Sequence, residues 1–131
     1  MATNFSTSLR TSIVAALVTA AGSGAKLKFY SGTRPSGVAA VGGGTTLLGT
    51  VTLGSTIGTT SSGAIDWDEA GATQSNGSHV SGTPTFVDLT TSGDTVLFRT
   101  DLTGGSWTFT GTIATGQNIT LSSLVTTAGN A

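Results

Sequence analysis

Apolar residues recur every four positions near the start of the chain. The row consists of Phe5, Leu9, Ile13, Leu17 and Ala21, and Val14 and Val18 widen it. Side chains at this spacing lie on one face of an α-helix. The pattern predicts an amphipathic helix within residues 1–24, with Arg10 and the Ser and Thr positions on the opposite face.

Polar and glycine residues mark both ends of this predicted helix. Asn4 or Ser6 can supply the N-cap oxygen, and Gly22 and Gly24 can supply a left-handed stop. A helix of this length is marginal when isolated in water. We therefore expect its apolar row to dock on another surface.

The apolar run at 13–21 has two other interpretations. Small residues follow it, as they follow the apolar segment of a secretory signal peptide. However, Arg10 alone supplies positive charge before the run, whereas a signal peptide normally opens with a basic region. The run is also shorter than the roughly 18–20 residues that cross a bilayer. A docked helix is the preferred interpretation.

From Lys26 onward the apolar period changes to two, which indicates β-strands. Turn-forming Gly, Ser and Thr residues separate the strand-like runs. We predict strands at 26–30, 47–53, 64–67, 85–89, 96–100, 107–110 and 118–124. The long loops between them are predicted at 32–46, 54–63 and 71–82.

The alternation also predicts which side chains point into the core. Leu27 and Phe29 face inward in the first strand. Four later residues share the inward parity in a hairpin that turns at Gly104 and Gly105, namely Val96, Phe98, Trp107 and Phe109. Thr suits the outer face, because its β-branched side chain fits a pleated surface while its hydroxyl stays wet.

Many short strands and one helix predict a mainly antiparallel, all-β fold of the β-sandwich or jelly-roll kind. No helical period follows Gly24, which excludes a parallel α/β fold. We expect an N-terminal amphipathic helix and connector at 1–24 and a single β-sandwich domain at 25–131.

Composition narrows the possible partners. Gly, Ser and Thr supply 63 of the 131 residues, whereas Asp, Glu, Lys and Arg supply 11, and the net charge is −1. An apolar fraction of 37% with so little charge is typical of a folded chain rather than a disordered one. Five basic residues cannot neutralise a row of phosphates or form a polybasic membrane patch. We expect neither nucleic acid nor membrane as a partner.

Candidate catalytic residues are few. The single histidine, His79, lies in a Ser-Asn-Gly-Ser stretch that predicts an exposed turn, and no nucleophile motif accompanies it. Asp66 and Asp68 would project to one side of a strand, next to Glu69, but calcium usually takes six to eight oxygens. We interpret the acidic residues as a solvated strand end. No enzyme activity, cofactor or metal site is predicted.

The segment KLKFYSGTRPSGVAA, which follows an alanine-containing helix and precedes GTTLLGTVTL, resembles a family of small tailed-bacteriophage virion proteins. Those chains have a short N-terminal helix, an LKIYTGxxP-type strand and turn, a small-residue loop, an LLxTxTL-type strand and a Thr/Ser/Gly-rich β-domain. The matching residues are Leu27, Lys28, Phe29, Tyr30, Ser31, Gly32, Pro35, Leu47, Leu48, Thr50, Thr52 and Leu53. Phe29 departs from the pattern, which has an aliphatic residue there.

The resemblance implies a non-enzymatic structural protein of the virion. A head decoration (cement) protein on the capsid surface, bound to the major capsid protein and to its own copies as a dimer or trimer, is the first expectation. A minor head, neck or tail component is the alternative, and a carbohydrate-binding module on the virion surface is the third. The predicted contact residues are Phe5, Leu9, Ile13 and Leu17, whereas a helix that only caps its own monomer is the competing hypothesis.

Overall fold

A computed structural model of the chain describes residues 4–68, 71–102, 112–119 and 125–127. Within these residues there is one α-helix, and the strands pair in antiparallel fashion. The elements are α1 (Thr7–Ala21), β1 (Lys26–Gly32), β2 (Thr45–Thr52), β3 (Gly58–Ser61), β4 (Ala64–Trp67), β5 (Thr73–Gln74), a 3₁₀ turn (Asn76–Ser78), β6 (Phe86–Thr90), β7 (Val96–Asp101) and β8 (Val125–Thr127). The predicted class, mainly antiparallel β with one N-terminal helix, is confirmed.

The strands form two sheets. One has five strands in the order β5-β2-β1-β6-β7, and the other has three in the order β3-β4-β8. Strand β1 lies at the centre of the larger sheet, where Leu27 pairs with Val51 of β2 and with Leu89 of β6. The predicted strands at 26–30, 47–53, 64–67, 85–89 and 96–100 all coincide with strands of the structure, within two residues at each end.

Three stretches differ from the prediction. Strand β3 lies inside the predicted loop 54–63, and β5 with the 3₁₀ turn lies inside the predicted loop 71–82. Of the predicted strand 118–124, residues 118 and 119 are not in a strand, and residues 120–124 lie outside the described residues. Gly-, Ser- and Thr-rich segments lack the apolar alternation that identifies a strand, so backbone pairing alone defines these elements. The predicted strand 107–110 and the turn at Gly104 and Gly105 lie outside the described residues.

A β-bulge in β2 separates its two leucines. Phe29 pairs with Gly49 while Tyr30 pairs with Leu47, so Leu48 is the extra residue. Leu48 is 2% exposed, whereas Leu47 is 41% exposed. A bulge re-aims side chains in this way. The adjacent leucines therefore point to opposite environments, one to the core and one to solvent.

The core is one contiguous apolar cluster that joins the helix and both sheets. Leu27 and Phe29 of β1 are buried in it, as predicted. Trp67 of β4 is also buried and meets Phe98 of β7 edge-on, with ring centroids 6.1 Å apart. Aromatic pairs favour this geometry beyond the gain from buried area. Phe98 is half-buried against the core, in agreement with its predicted inward parity.

The opposite face of the five-stranded sheet is covered at β6, contrary to the expectation of a solvated Thr-rich surface. All five residues of β6 are buried. Asp88 on this face accepts two hydrogen bonds from Arg99, at 2.6 and 2.7 Å. Arg99 also donates to the carbonyls of Gly37, at 3.3 Å, and Ala39, at 2.8 Å. The loop between β1 and β2 thus lies over β6 and is held to β7.

Candidate functional site

The helix has defined ends. The Ser6 hydroxyl accepts a hydrogen bond from the amide of Leu9 at 3.2 Å, so Ser6 is the N-cap and the alternative, Asn4, is not. Gly22 ends the helix with φ of +66°, the left-handed conformation that glycine adopts without strain. Gly24 is also left-handed, at +72°. Both predicted stop residues have the expected conformation.

The C-terminal half of the helix packs on its own chain. Val14 and Ala21 are buried, and Leu17 and Val18 are half-buried against the same core. The amide of Gly63, in the turn between β3 and β4, donates to the Thr11 hydroxyl at 2.8 Å. Together these contacts anchor the helix, including Thr11 in its N-terminal half, to its own chain.

The N-terminal half of the same apolar row faces solvent. Phe5, Leu9 and Ile13 are 40%, 47% and 44% exposed. Four residues turn a helix by about 400°, so a row with period four drifts by about 40° at each step. The drift carries the row from solvent at Phe5 to the core at Ala21. The single contact surface predicted from sequence is in fact divided, with Leu17 on the buried side.

The sequence predicts Arg10 on the polar face of the helix, opposite the apolar row, but the structure does not place Arg10 on the outer surface. It is half-buried, and its Cβ lies 2.9 Å from the position that a Cβ on Gly63 would occupy. Gly63 has φ of +79°, so both its backbone and its lack of a side chain suit this contact. Arg10 sits on the buried side because it lies within about 40° of Val14 and about 20° of Ala21 around the helix axis.

His79 is buried, at 4% exposure, which overturns its prediction as an exposed surface residue. Its Nδ1 lies 2.9 Å from the carbonyl oxygen of Gln117, so Nδ1 carries the proton and donates. Its Nε2 is then an acceptor, and it receives no hydrogen bond in the structure. The prediction failed because the residues that cover His79 come from a distant part of the sequence.

Those covering residues, 113–119, are bonded along their length to residues 74–82. Gln74 and Ile119 exchange two hydrogen bonds at 2.7 Å each. Asn76 accepts from the amide of Gly116 at 2.9 Å, and its side chain donates to Asn118 at 2.9 Å. Further along, the backbones of residues 82 and 113 form an isolated bridge. Residues 74–82 are therefore held rigidly although they contain little regular structure.

A groove of about 250 Å³ lies between β2 and this held segment. We call it the hydroxyl groove. The residues that line it include Thr50 and Thr52 on one side and Ser75 and Ser78 on the other, each of which carries a hydroxyl group, together with Leu47 and His79. None of the described residues in its lining is an Asp, Glu, Lys or Arg. The groove is not predictable from the sequence, because its two sides meet through the pairing of β2 with β5 and the hydrogen bond from the Val80 amide to the Leu48 carbonyl, which join segments more than 20 residues apart.

The predicted acidic residues do not converge on a site in the described part of the chain. Asp66 is exposed on β4, and Asp68 accepts a hydrogen bond from the amide of Gly71 at 3.1 Å. Glu69 lies outside the described residues. Among the residues described, no three of the His, Asp and Glu side chains group as metal ligands would.

Besides Arg99, three of the basic residues form ion pairs with acidic residues of the same chain. Lys26 and Lys28 share Asp94, at 3.0 and 2.8 Å, and Arg34 lies 3.7 Å from Asp101. In the part of the chain that the structure covers, no helix is both long and apolar enough to cross a membrane.

Comparison of the chain with protein-family models, with curated proteins and with solved structures finds no match.

Proposed function

We propose that the chain is a non-enzymatic structural protein of a bacteriophage virion, and that it decorates the head by binding the major capsid protein. The observation that carries the proposal is the exposed row of Leu9 and Ile13, with Phe5 just before the helix start, on a helix that its own β-domain already holds. A helix anchored in this way presents apolar side chains in a fixed geometry. Ordering before contact lowers the entropic cost of binding.

The chemistry of the row suits contact with another protein. Thr7–Ala21 contains no acidic residue, and its one basic residue, Arg10, is turned toward Gly63. An uncharged apolar contact costs little desolvation on association. The row is much smaller than the about 800 Å² per partner that a standard interface buries. It therefore supplies an anchor, and many copies on one shell would supply the remaining affinity through multivalency.

The first experiment measures the copy number of the chain in purified particles of the phage that encodes it, by quantitative mass spectrometry against the major capsid protein. A simple ratio to the capsid subunit supports head decoration. A few copies per particle would favour the second candidate, a neck or tail component, and absence from particles would reject a virion role.

The second experiment tests the helix row with the variant Leu9→Gln/Ile13→Gln. Removal of the first 22 residues is a poorer test, because it would also remove Val14 and Ala21 from the core. Gln favours the helical state and both positions are exposed, so the fold should be kept. We expect occupancy on undecorated shells to fall about tenfold or more.

The matched control is Ser8→Gln, which changes an exposed residue on the same helix outside the row. Its occupancy should equal that of the unmodified chain. Equal binding by the double variant, with an unchanged melting temperature, would rule out the helix as the contact.

A further inference from the structure

We infer that the hydroxyl groove binds a neutral saccharide. This proposal concerns a different surface from the exposed helix row and does not depend on it. It starts from the lining, in which Thr50, Thr52, Ser75 and Ser78 supply four hydroxyl groups. None of these hydroxyls makes a hydrogen bond within the described part of the chain. A hydroxyl both donates and accepts, so each can pair with a sugar hydroxyl in either direction.

The absence of charge in the groove defines the ligand further. Among the described residues, no Asp, Glu, Lys or Arg belongs to its lining. An ionic ligand would lose its hydration there without gaining a counter-charge. A neutral polyhydroxyl compound loses only hydrogen bonds to water, which the four hydroxyls can replace.

Size and shape are consistent with one sugar ring. The volume of about 250 Å³ is below the about 300–1,000 Å³ typical of pockets for drug-sized ligands. Leu47, 41% exposed, supplies an apolar wall for the C–H face of a ring. Because this wall is aliphatic and not aromatic, we expect weak binding, with a Kd on the order of 1 mM.

The groove is preorganised on its serine side. His79 fixes this side by donating from Nδ1 to Gln117, and Asn76 fixes it through Gly116 and Asn118. A wall that is already ordered costs little entropy when a ligand binds. His79 acts here as a positioning residue, since its ring is enclosed among protein atoms.

The test is a titration of the ¹⁵N-labelled chain by NMR, with glucose, galactose and N-acetylglucosamine as separate probes. We expect at least one sugar to give saturable shifts at the amides of Gly49, Thr50, Ser75 and Ser78. Glucuronate, the charged counterpart, should give weaker shifts. No saturable shift with any of the three neutral sugars would overturn the proposal.

Two variants make the test specific. Thr50→Val/Ser78→Ala removes two groove hydroxyls with little change in volume, and the Kd should rise about tenfold. The control Thr59→Val/Ser8→Ala removes two exposed hydroxyls elsewhere and should leave the Kd unchanged. A similar rise in the Kd of the groove variant and of the control variant would also contradict the proposal.

A third variant, Leu47→Trp, enlarges the apolar wall at an exposed position and should tighten binding several-fold. The binding of Leu47→Trp can be measured even if Thr50→Val/Ser78→Ala does not fold. Weaker or unchanged binding by Leu47→Trp would argue against the assigned ring position. All of these titrations use the isolated chain, so their outcome is separate from that of particle binding.

Discussion

The two faces of the five-stranded sheet are buried by different means. On the inner face, Leu27, Val51 and Leu89 are completely enclosed by apolar neighbours. On the outer face, the buried residues include the ion pair Asp88–Arg99, whose side chains are each 1% exposed. A loop that follows Gly32 covers this pair. The inner face is stabilised by apolar area, whereas the outer face needs both charges to be present together.

Burial alone therefore does not identify how a face of the sheet is stabilised. A buried apolar side chain can be shortened at a graded cost. A buried ion pair gains little over an apolar pair, but the loss of one partner leaves a charge without water or counter-ion. The outer face is therefore the more fragile of the two, although Asp88 and Arg99 are as enclosed as the apolar residues of the inner face.

The largest effect is expected for Asp88→Ala. The change leaves the Arg99 guanidinium buried without its carboxylate, and the free energy of unfolding should fall by about 3–5 kcal/mol. Leu89→Ala on the inner face should lower it by about 2–5 kcal/mol through loss of apolar contact and a cavity. Denaturant unfolding measures both. A loss below about 1 kcal/mol for Asp88→Ala would show that water reaches the pair.

The next effect comes from replacing the whole pair. Asp88→Leu/Arg99→Met removes both charges, so we expect the double variant to be more stable than Asp88→Ala by about 2 kcal/mol or more. The carbonyls of Gly37 and Ala39 lose their donor at the same time. Hydrogen exchange should therefore become faster in the loop while β1 stays protected. Unchanged exchange in the loop would mean that Arg99 does not hold it.

A smaller and more specific effect concerns Tyr30, the single tyrosine of the chain. Its ring stacks on Phe86, with centroids 5.1 Å apart, and burial followed by the charge of Asp88 raises the pKa of the phenol above its usual value. The unfolded chain ionises first, so this contribution to stability is present below about pH 10 and is lost as the pH rises through the folded value.

Near-ultraviolet absorbance of the phenolate measures this titration directly. The folded chain should titrate at higher pH than the chain unfolded in guanidinium. Asp88→Asn should lower the pKa of Tyr30, because it removes a raising charge while Arg99 remains. A higher pKa of Tyr30 in the Asp88→Asn variant would show that the charge of Asp88 does not raise it.

The smallest effect is expected at Asp94. Hydrogen bonds from Lys28 and then Lys26 lower the pKa of this exposed carboxyl. Its stabilisation is therefore present above the unfolded pKa, near 4, and is lost as the pH falls through the lower folded value. Asn tolerates the left-handed backbone at this position, φ of +69°, so Asp94→Asn isolates the charge.

Comparison of thermal melts at neutral and acidic pH measures the contribution of Asp94. The variant should lose part of the acid dependence, and high salt should reduce the difference because the carboxyl is exposed. An equal acid dependence in both chains would show that the two lysines do not stabilise the fold through Asp94.

Sequence pattern predicted the inner face well because that face obeys a local rule. The alternation around Leu27 and Phe29 gave the correct strand and the correct parity. The burial of the outer face was not predicted. The alternation correctly placed Arg99 away from the core, but it contains no information about a loop that covers Arg99. Strand β3 escaped for another reason, since Gly58–Ser61 has no apolar alternation.

The candidate sites show the same limit. The helix and its ends were predictable from spacing and capping residues, but a row with period four was treated as one surface although it winds around the helix. The hydroxyl groove was not predictable, because its serine side depends on residues 113–119. Contacts between distant segments carry no periodic signal in a single sequence.

The bonded segments around Gln74 and Ile119 also set an order of events in folding. Their two mutual hydrogen bonds join residues that are 45 positions apart. Closing so long a loop costs chain entropy that short-range pairing does not. During synthesis, residue 119 leaves the ribosome after every strand of the five-stranded sheet has emerged. We expect the sheet to assemble first and His79 to remain open to water until the last closure, which makes that histidine a natural reporter of completed folding.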